Sequence, residues 1–487
     1  MRELLGSALV VALVLACTRV TDADECLNVL HPAMTARIQK DVAWLDRAGG
    51  ITDAMIRNIS LLCDNAIRWQ CNVKAVRMMI KDGEVYLNSL HPDWRLGPHE
   101  LIGFLLELYE ASKMYKLPDV EFAYNGDDDV MTAVEWKDEA ALKPAFHGGP
   151  FPLLTWSKGD DSSGMLVPYS GAFRCADDSF DAMSTRLEDF RRVPWSERKQ
   201  VAFGRWNEFC ALYYNALQRM PNGREQPCPR NYLSQLSDKN LELLDVGVML
   251  EMEKKGRVGH VPLTHQNVYR YLVSTDGWAI SSKFDKYLLL GSLVIKLMNR
   301  ASTSRYRSHA RSPRYGFYYD ALVPDQHFLP CMNASNDDVL ERIKWAKEHD
   351  AEAQKMAEAA QAFAVKHLHR GARLCYYRTL MEELGKRMKY TPDCANRQLC
   401  IPLGQFLNFL STYPKTRHTC PYSQVLSQYG FNAELEAGKY TTESITALLK
   451  QEKYWPRDTD IPPLTYQPYF PRRLRRRGLQ ARRRQAA

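Results

Sequence analysis

Long apolar runs, paired cysteine knuckles, internal repeats and a general excess of one charge are all missing from this 487-residue chain. Beyond residues 1–20 no stretch is long and apolar enough to cross a bilayer, which takes about 20 apolar residues; a polytopic membrane protein is excluded. The twelve cysteines contain no paired C-x-x-C, the spacing that structural zinc sites favour. No self-similarity recurs at periods of about 20–50 residues, which excludes a solenoid or propeller. The formal charge of +8 is local. The last sixteen residues, from Arg472, hold eight arginines and no acid. The rest is formally neutral, so no nucleic-acid partner is expected. The tail reads as a solvated extension that could touch anionic membrane or glycan.

What is present describes a globular protein of two or three domains. Apolar residues make up 45% and aromatics 11%, enough for well-buried cores. Arg2 precedes an apolar run over residues 4–16, and polar sequence begins at Thr18. Residues 1–20 read as a signal peptide, or a short uncleaved anchor that would be the chain's one membrane-embedded segment. Behind such a leader most cysteines are expected in disulfides, with Cys394, Cys400 and Cys420 stapling the C-terminal region. Sequons at Asn58-Ile59-Ser60 and Asn333-Ala334-Ser335 fit the same setting. Together these predict the lumen of the secretory pathway, endoplasmic reticulum or Golgi, or secretion.

Residues 35–110 read as largely helical. Strands are expected at 120–124, ended by the turn pair Asn125-Gly126, and at 153–156. Further strands are expected at 241–246 and 269–273. After Asp276-Gly277 a helical stretch to Leu290 and a strand at 293–295 complete a strand–helix–strand unit, which implies a parallel α/β sheet. Two long helices follow, 336–349 and 351–367.

Three places could carry chemistry. Asp127-Asp128-Asp129 follows a strand, where open α/β sheets bind ligands. One carboxylate could be a general base on a hydroxyl; Asp127 and Asp129 could instead hold a divalent metal on a diphosphate; or the triplet is a solvated acidic turn. The segment after Gly277 offers helix-start N–H groups and Lys283 to a diphosphate, or is an ordinary strand–helix turn. Arg230, before a helix, could clamp a phosphate or form a surface ion pair.

The order and spacing of several motifs resemble one family. Leu117-Pro118-Asp119-Val120-Glu121, then Asn125 and Asp128, resembles the L-P-D-x-E…N-x-x-D segment of protein O-glucosyltransferases, in glycosyltransferase family 90. Trp156-Ser157-Lys158 resembles the end of that family's P-x-F-S-F-S-K strand. The run from Gly277 to Phe284, then Leu289-Leu290-Gly291-Ser292-Leu293-Val294, resembles its G-x-A-A-S-F-R-F…L-x-G-S-L-V-F.

The resemblance implies an α/β, GT-B-like fold: two Rossmann-like halves facing across a cleft, with a C-terminal extension. The halves would be 27–198 on the acceptor side and 199–390 for the nucleotide sugar, with returning helices. Residues 391–487 would form the Cys-, Pro- and Arg-rich extension. It implies transfer of a sugar, glucose or xylose first, from a UDP-sugar to a hydroxyl on a protein or polysaccharide, with inversion and no metal. Asp128 would be the general base. Arg230, Trp278, Ala279, Ile280, Ser281, Ser282 and Lys283 would hold the uridine diphosphate. The family's last cysteine–aromatic pair resembles Cys375-Tyr376-Tyr377; its cysteine bonds one near the N-terminus, for which Cys26 is the first choice and Cys63 and Cys71 the alternatives.

The chain departs from the family at several points. Lys283 stands where the family has arginine, which keeps the charge but loses the two-pronged fork. Phe203-Gly204-Arg205-Trp206 replaces its F-R-G-S-R donor loop, and Gly316 falls at an acidic position. These changes leave two other readings: a metal-dependent transferase using Asp127 and Asp129, or a non-catalytic member that binds glycan or protein.

Overall fold

The computed structural model describes residues 26, 28–57, 59, 75–90, 99–126, 151–159, 162–169, 177–207, 229–277, 279–298, 314–332, 335, 337–412 and 438–451. The sequons' Asn58 and Asn333, and the leader, lie outside them. Helix α1 (Pro32–Arg47) leads through the short α2 (Asp53–Arg57) to strands β1 (Ala75–Lys81) and β2 (Glu84–Leu87). Helix α3 (His99–Met114) precedes β3 (Val120–Asn125), β4 (Leu153–Thr155) and β5 (Met165–Leu166). Short helices α4 (Phe180–Ser184) and α5 (Leu187–Arg191) carry the chain to β6 (Lys199–Trp206). Then come α6 (Pro229–Asp238), β7 (Leu244–Val248), α7 (Met249–Lys254), β8 (Tyr269–Ser274), α8 (Phe284–Leu289), β9 (Leu293–Leu297) and β10 (Leu329–Cys331). Helices α9 (Asp338–Glu348), α10 (Asp350–His367) and α11 (Arg370–Gly385) precede β11 (Ile401–Pro402), α12 (Leu403–Thr412) and α13 (Thr442–Leu448).

The strands form two sheets, so the expected mixed α/β class holds. The first has the order β11-β2-β1-β3-β4-β5 and mixes antiparallel and parallel pairs. The second, β10-β9-β8-β6-β7, is parallel throughout. Along β8 the side chains alternate. Tyr271 and Val273 enter one apolar cluster and Leu272 the other, as the two-residue period of a sheet buried on both faces requires.

Residues 75–87 correct the helical reading of 35–110. They form a hairpin whose turn residues Asp82 and Gly83 have φ of 53° and 82°. Two left-handed residues are what a tight hairpin turn needs, and Asp-Gly supplies both. Asp119 clamps the turn, accepting from the Asp82 N–H at 2.7 Å and from Lys81 Nζ at 2.7 Å.

The C-terminal helices return to the first sheet. Helix α11 packs on α1 and α3, and a Cys26–Cys375 disulfide ties it to the start of the described chain, Cα–Cα 5.3 Å. Arg373 donates to Glu107 on α3 at 2.5 Å and to Asp181 on α4 at 2.8 Å. Cys420 lies outside the described residues, and of the three cysteines expected to staple the C-terminal region the other two form a Cys394–Cys400 disulfide. It closes a small loop from which Arg397 reaches the buried Glu121 of β3 at 2.6 Å. Beyond it β11 pairs with β2, and α12 packs on α3. Strand β11 thus extends the first sheet.

Candidate functional site

The order of the second sheet decides where a ligand would sit. Strand β6 lies between β7 and β8. The chain leaves β6 through α6 to reach β7 on one side, while β8 lies on the other. Connections that depart in opposite directions open a crevice beyond the carboxyl ends of the two strands. That crevice falls between β6 and β8.

Arg230 spans it. It is the second residue of α6 and is buried. Its Nε donates to Thr275 Oγ1 at 3.1 Å and its Nη2 to the Thr275 carbonyl at 3.3 Å. Its Nη1 donates to Asn207 Oδ1 at 2.5 Å and to the Asn207 carbonyl at 3.3 Å. Asn207 directly follows β6 and Thr275 directly follows β8. The guanidinium is therefore fixed across the switch point rather than on the surface. Gly277 lies beside it: a Cβ there would come within 3.3 Å of Nη2, so a larger residue would crowd the guanidinium.

The segment after β8 departs from expectation. Helix α8 begins at Phe284, not after Gly277. The Asp276 carboxylate accepts the Ser281 N–H at 2.9 Å, and a side chain that captures a backbone donor in this way competes with helix formation. Ala279 to Lys283 instead form a bend and turn. Lys283 donates its N–H to Ser281 Oγ at 3.3 Å and its Nζ to the Arg205 carbonyl of β6 at 2.6 Å. Lys286 Nζ donates to the Ser282 carbonyl at 2.8 Å. Ala279, Ile280 and Ser281 are buried; Ser282 and Lys283 are half-buried. Trp278 lies outside the described residues.

Around this turn Arg230, Lys283 and Lys286 gather beside the buried Asp276–Lys296 pair, with Asp285 3.9 Å from Lys286 Nζ. Cations gathered at a crevice suit a diphosphate. Asp276, Lys286 and Lys296 escaped the sequence reading. Their signals were a Thr-Asp-Gly run after a strand and a lysine inside an apolar strand.

The first sheet brings a second edge to the same place. Parallel strands β3 and β4 end together, and Trp156, just past β4, donates its indole N–H to the Gly126 carbonyl at 3.1 Å. Asp127, Asp128 and Asp129 lie outside the described residues; Gly126 is the described residue before them in the chain. Trp156 and Tyr169, ring centroids 4.6 Å apart, pack with Ala279 and Ile280 in one small cluster, with Tyr319 against it. One indole thus touches both the segment leading to the acid triplet and the turn beside Arg230. Gly316 makes room for this: a Cβ there would stand 2.7 Å from Ile280 Cδ1.

Arg205 does not join the crevice. It belongs to β6, and its guanidinium is spent on the Val258 carbonyl at 2.6 Å, the Asp245 carbonyl at 2.7 Å and Asp245 Oδ1 at 2.8 Å. Burial pushes it below its ordinary value while Asp245 pulls the other way. Its contribution here is the backbone carbonyl that receives Lys283. Likewise Phe203 to Trp206 are strand, not loop.

The family model described as glycosyl transferase family 90 matches residues 32–404. The chain is 27% identical over 349 residues to "Protein O-glucosyltransferase 3" of Homo sapiens, covering 67% of this chain and 58% of that protein. It is 27% identical over 326 residues to "Protein O-glucosyltransferase 2" of Danio rerio, covering 62% and 54%. It is 25% identical over 283 residues to "O-glucosyltransferase rumi homolog" of Aedes aegypti, covering 56% and 63%. The chain thus spans less than two thirds of the length of these relatives.

Proposed function

We propose, from the premise that this chain belongs to glycosyl transferase family 90, that it transfers a sugar from a UDP-sugar to a hydroxyl of a protein acceptor, with a glycan hydroxyl as the alternative. The relatives' names make glucose the first donor to test and the motif resemblance adds xylose. The two sheets are read as the Rossmann-like halves of a GT-B arrangement, the second half binding the donor and the first the acceptor. The lumen of the secretory pathway is the proposed compartment, and the two disulfides are consistent with it.

One observation carries the reading: Arg230 bridges the carboxyl ends of β6 and β8 at the switch point of a parallel sheet. In the proposed mechanism Arg230 and the Trp278–Lys283 segment hold the diphosphate. As the glycosidic bond breaks, negative charge builds on the leaving diphosphate. Cations already fixed by protein hydrogen bonds stabilise it without reorganising, which is where electrostatic catalysis is strongest. Asp128 takes the proton of the acceptor hydroxyl, which attacks from the face opposite the diphosphate, so the anomeric configuration inverts. The proximity of Gly126 to Trp156, and of Trp156 to Ala279 and Ile280, supports a base beside the donor turn.

A panel of UDP-glucose, UDP-xylose, UDP-galactose and UDP-glucuronate, followed by donor hydrolysis, tests the donor class. Asp128→Asn is expected to abolish transfer while UDP binding persists. Full activity in that variant would sink the base assignment. Activity lost to a chelator and restored by manganese would favour Asp127 and Asp129 as metal ligands. A chain that no UDP compound stabilises against heat would be a non-catalytic member.

A further inference from the structure

Beneath the donor turn lies an ion pair that the proposed chemistry does not use. Asp276 and Lys296 are both buried, with side-chain exposures of 2% and 4%, and their Oδ1 and Nζ stand 2.6 Å apart. Lys296 projects from β9, where its backbone pairs with Ser274 of β8. Its ammonium also lies over the rings of Phe284 and Tyr319, at 5.4 and 5.8 Å. Sheet and aromatic walls therefore fix the cation before the turn begins.

Removing two charges from water costs several kcal/mol per ion, and apolar replacements of such pairs are often neutral or stabilising. A buried pair is poorly explained by stability alone. What this pair does differently is directional. The same Asp276 Oδ1 that meets Lys296 accepts the Ser281 N–H at 2.9 Å. That bond stops the helix from starting after Gly277 and sets the bend through Ala279, Ile280 and Ser281. An apolar pair of equal volume would fill the space but leave the Ser281 amide unheld.

We propose that Asp276 and Lys296 are positioning residues for donor binding: the Lys296 ammonium aims the Asp276 carboxylate, and the carboxylate holds the 279–283 turn in the shape that receives the diphosphate. The assignment rests on the donor-site reading above. Neither residue is asked to touch the donor.

Calorimetric titration of the full chain with uridine diphosphate, with a thermal melt of each variant, tests it. In the double variant Asp276→Leu/Lys296→Met the charges and the acceptor of the Ser281 N–H leave together, so folding should survive while affinity falls. The expected loss is about 10- to 100-fold, the worth of a charge-assisted hydrogen bond. Asp276→Glu keeps the pair but displaces the carboxylate by one methylene; it should melt near the wild type and bind about tenfold more weakly. Lys296→Arg, which preserves the charge, should stay within about threefold. A folded Asp276→Glu or double variant that binds uridine diphosphate as tightly as the wild type overturns the assignment and leaves the donor site standing. A wild-type chain that binds no uridine diphosphate overturns the donor site itself, and this assignment with it.

Discussion

Replacing Arg198 should unfold more of the protein than any surface arginine would. Arg198 sits just before β6 and is buried. Its guanidinium donates to the carbonyls of Val193 at 3.1 Å, Leu290 at 3.1 Å, Gly291 at 2.5 Å and Phe190 at 3.1 Å, and to Ser292 Oγ at 3.1 Å. Three segments converge on it: the end of α5, the start of β6 and the α8–β9 corner. Burial, with the nearby Arg270, pushes its pKa down to about 10, so it still carries charge at neutral pH. Arg198→Met keeps the stem but leaves four carbonyls and a hydroxyl without that donor. At about 1 kcal/mol net per hydrogen bond, and more where an acceptor stays dry, the gross loss is about 5 kcal/mol. Relief from burying a charge returns part of it, so a net loss of about 3–4 kcal/mol is expected. Arg198→Lys, one ammonium for five acceptors, should recover no more than about half. Urea denaturation followed by tryptophan fluorescence measures both. A midpoint for Arg198→Met that differs from wild type by less than about 1 kcal/mol refutes the reasoning, because the acceptors would then have found water.

The Cys26–Cys375 bridge closes a loop with a sequence separation of 349 residues; on chain entropy alone opening it costs about 6 kcal/mol, and about 2–5 in practice. The Cys26→Ser/Cys375→Ser pair should lower the denaturation midpoint accordingly, and an unchanged midpoint would place the constraint elsewhere. A pH effect is expected at the histidines. His31 Nδ1 accepts the Ala33 N–H at the start of α1, His369 Nδ1 accepts the Ala372 N–H at the start of α11, and His327 Nδ1 accepts the Val323 N–H. Each cap requires the neutral ring. Burial lowers all three, helped by His367 and Lys366 at His31, by Arg373 and His367 at His369 against Asp181, and by His31 at His327. Their stabilisation is fully present above the unfolded value of about 6.5 and is lost as pH falls through the lowered ones. Melting temperature should therefore drop as pH falls below about 6.5, and His31→Asn/His369→Asn, which keeps the caps without a titrating ring, should flatten that drop. A drop of equal size in the double variant assigns it to His327 or the carboxylates.

Much of the framework was legible without coordinates. Strands β3, β4, β8 and β9 stood out because each is a short apolar run closed by a polar or glycine turn. Helix α10 ran to His367 as expected. The β1–β2 hairpin was misread although Lys81-Asp82-Gly83-Glu84 carries a strong turn signal. The apolar residues of β1 are too closely spaced for simple alternation, Met78, Met79 and Ile80 all being buried. The late start of α8 was misread for another reason. Residues 277–283 hold nothing that forbids a helix; a carboxylate anchored from the neighbouring strand took the amide instead.

The sequence by itself determined the class of the fold, the family and the identity of the charged residues, because apolar period, turn chemistry and motif order are properties of neighbours along the chain; it left the cysteine pairings open. Only the tertiary structure decided what those charges do. Arg205 and Arg230 look equivalent in one dimension, yet one is spent inside a sheet and the other spans a crevice. Lys296 is an unremarked lysine until β9 lies against β8 and brings it under Asp276. Such roles depend on which strands become neighbours, and strand order is set by burial over the whole chain rather than by any local stretch of it.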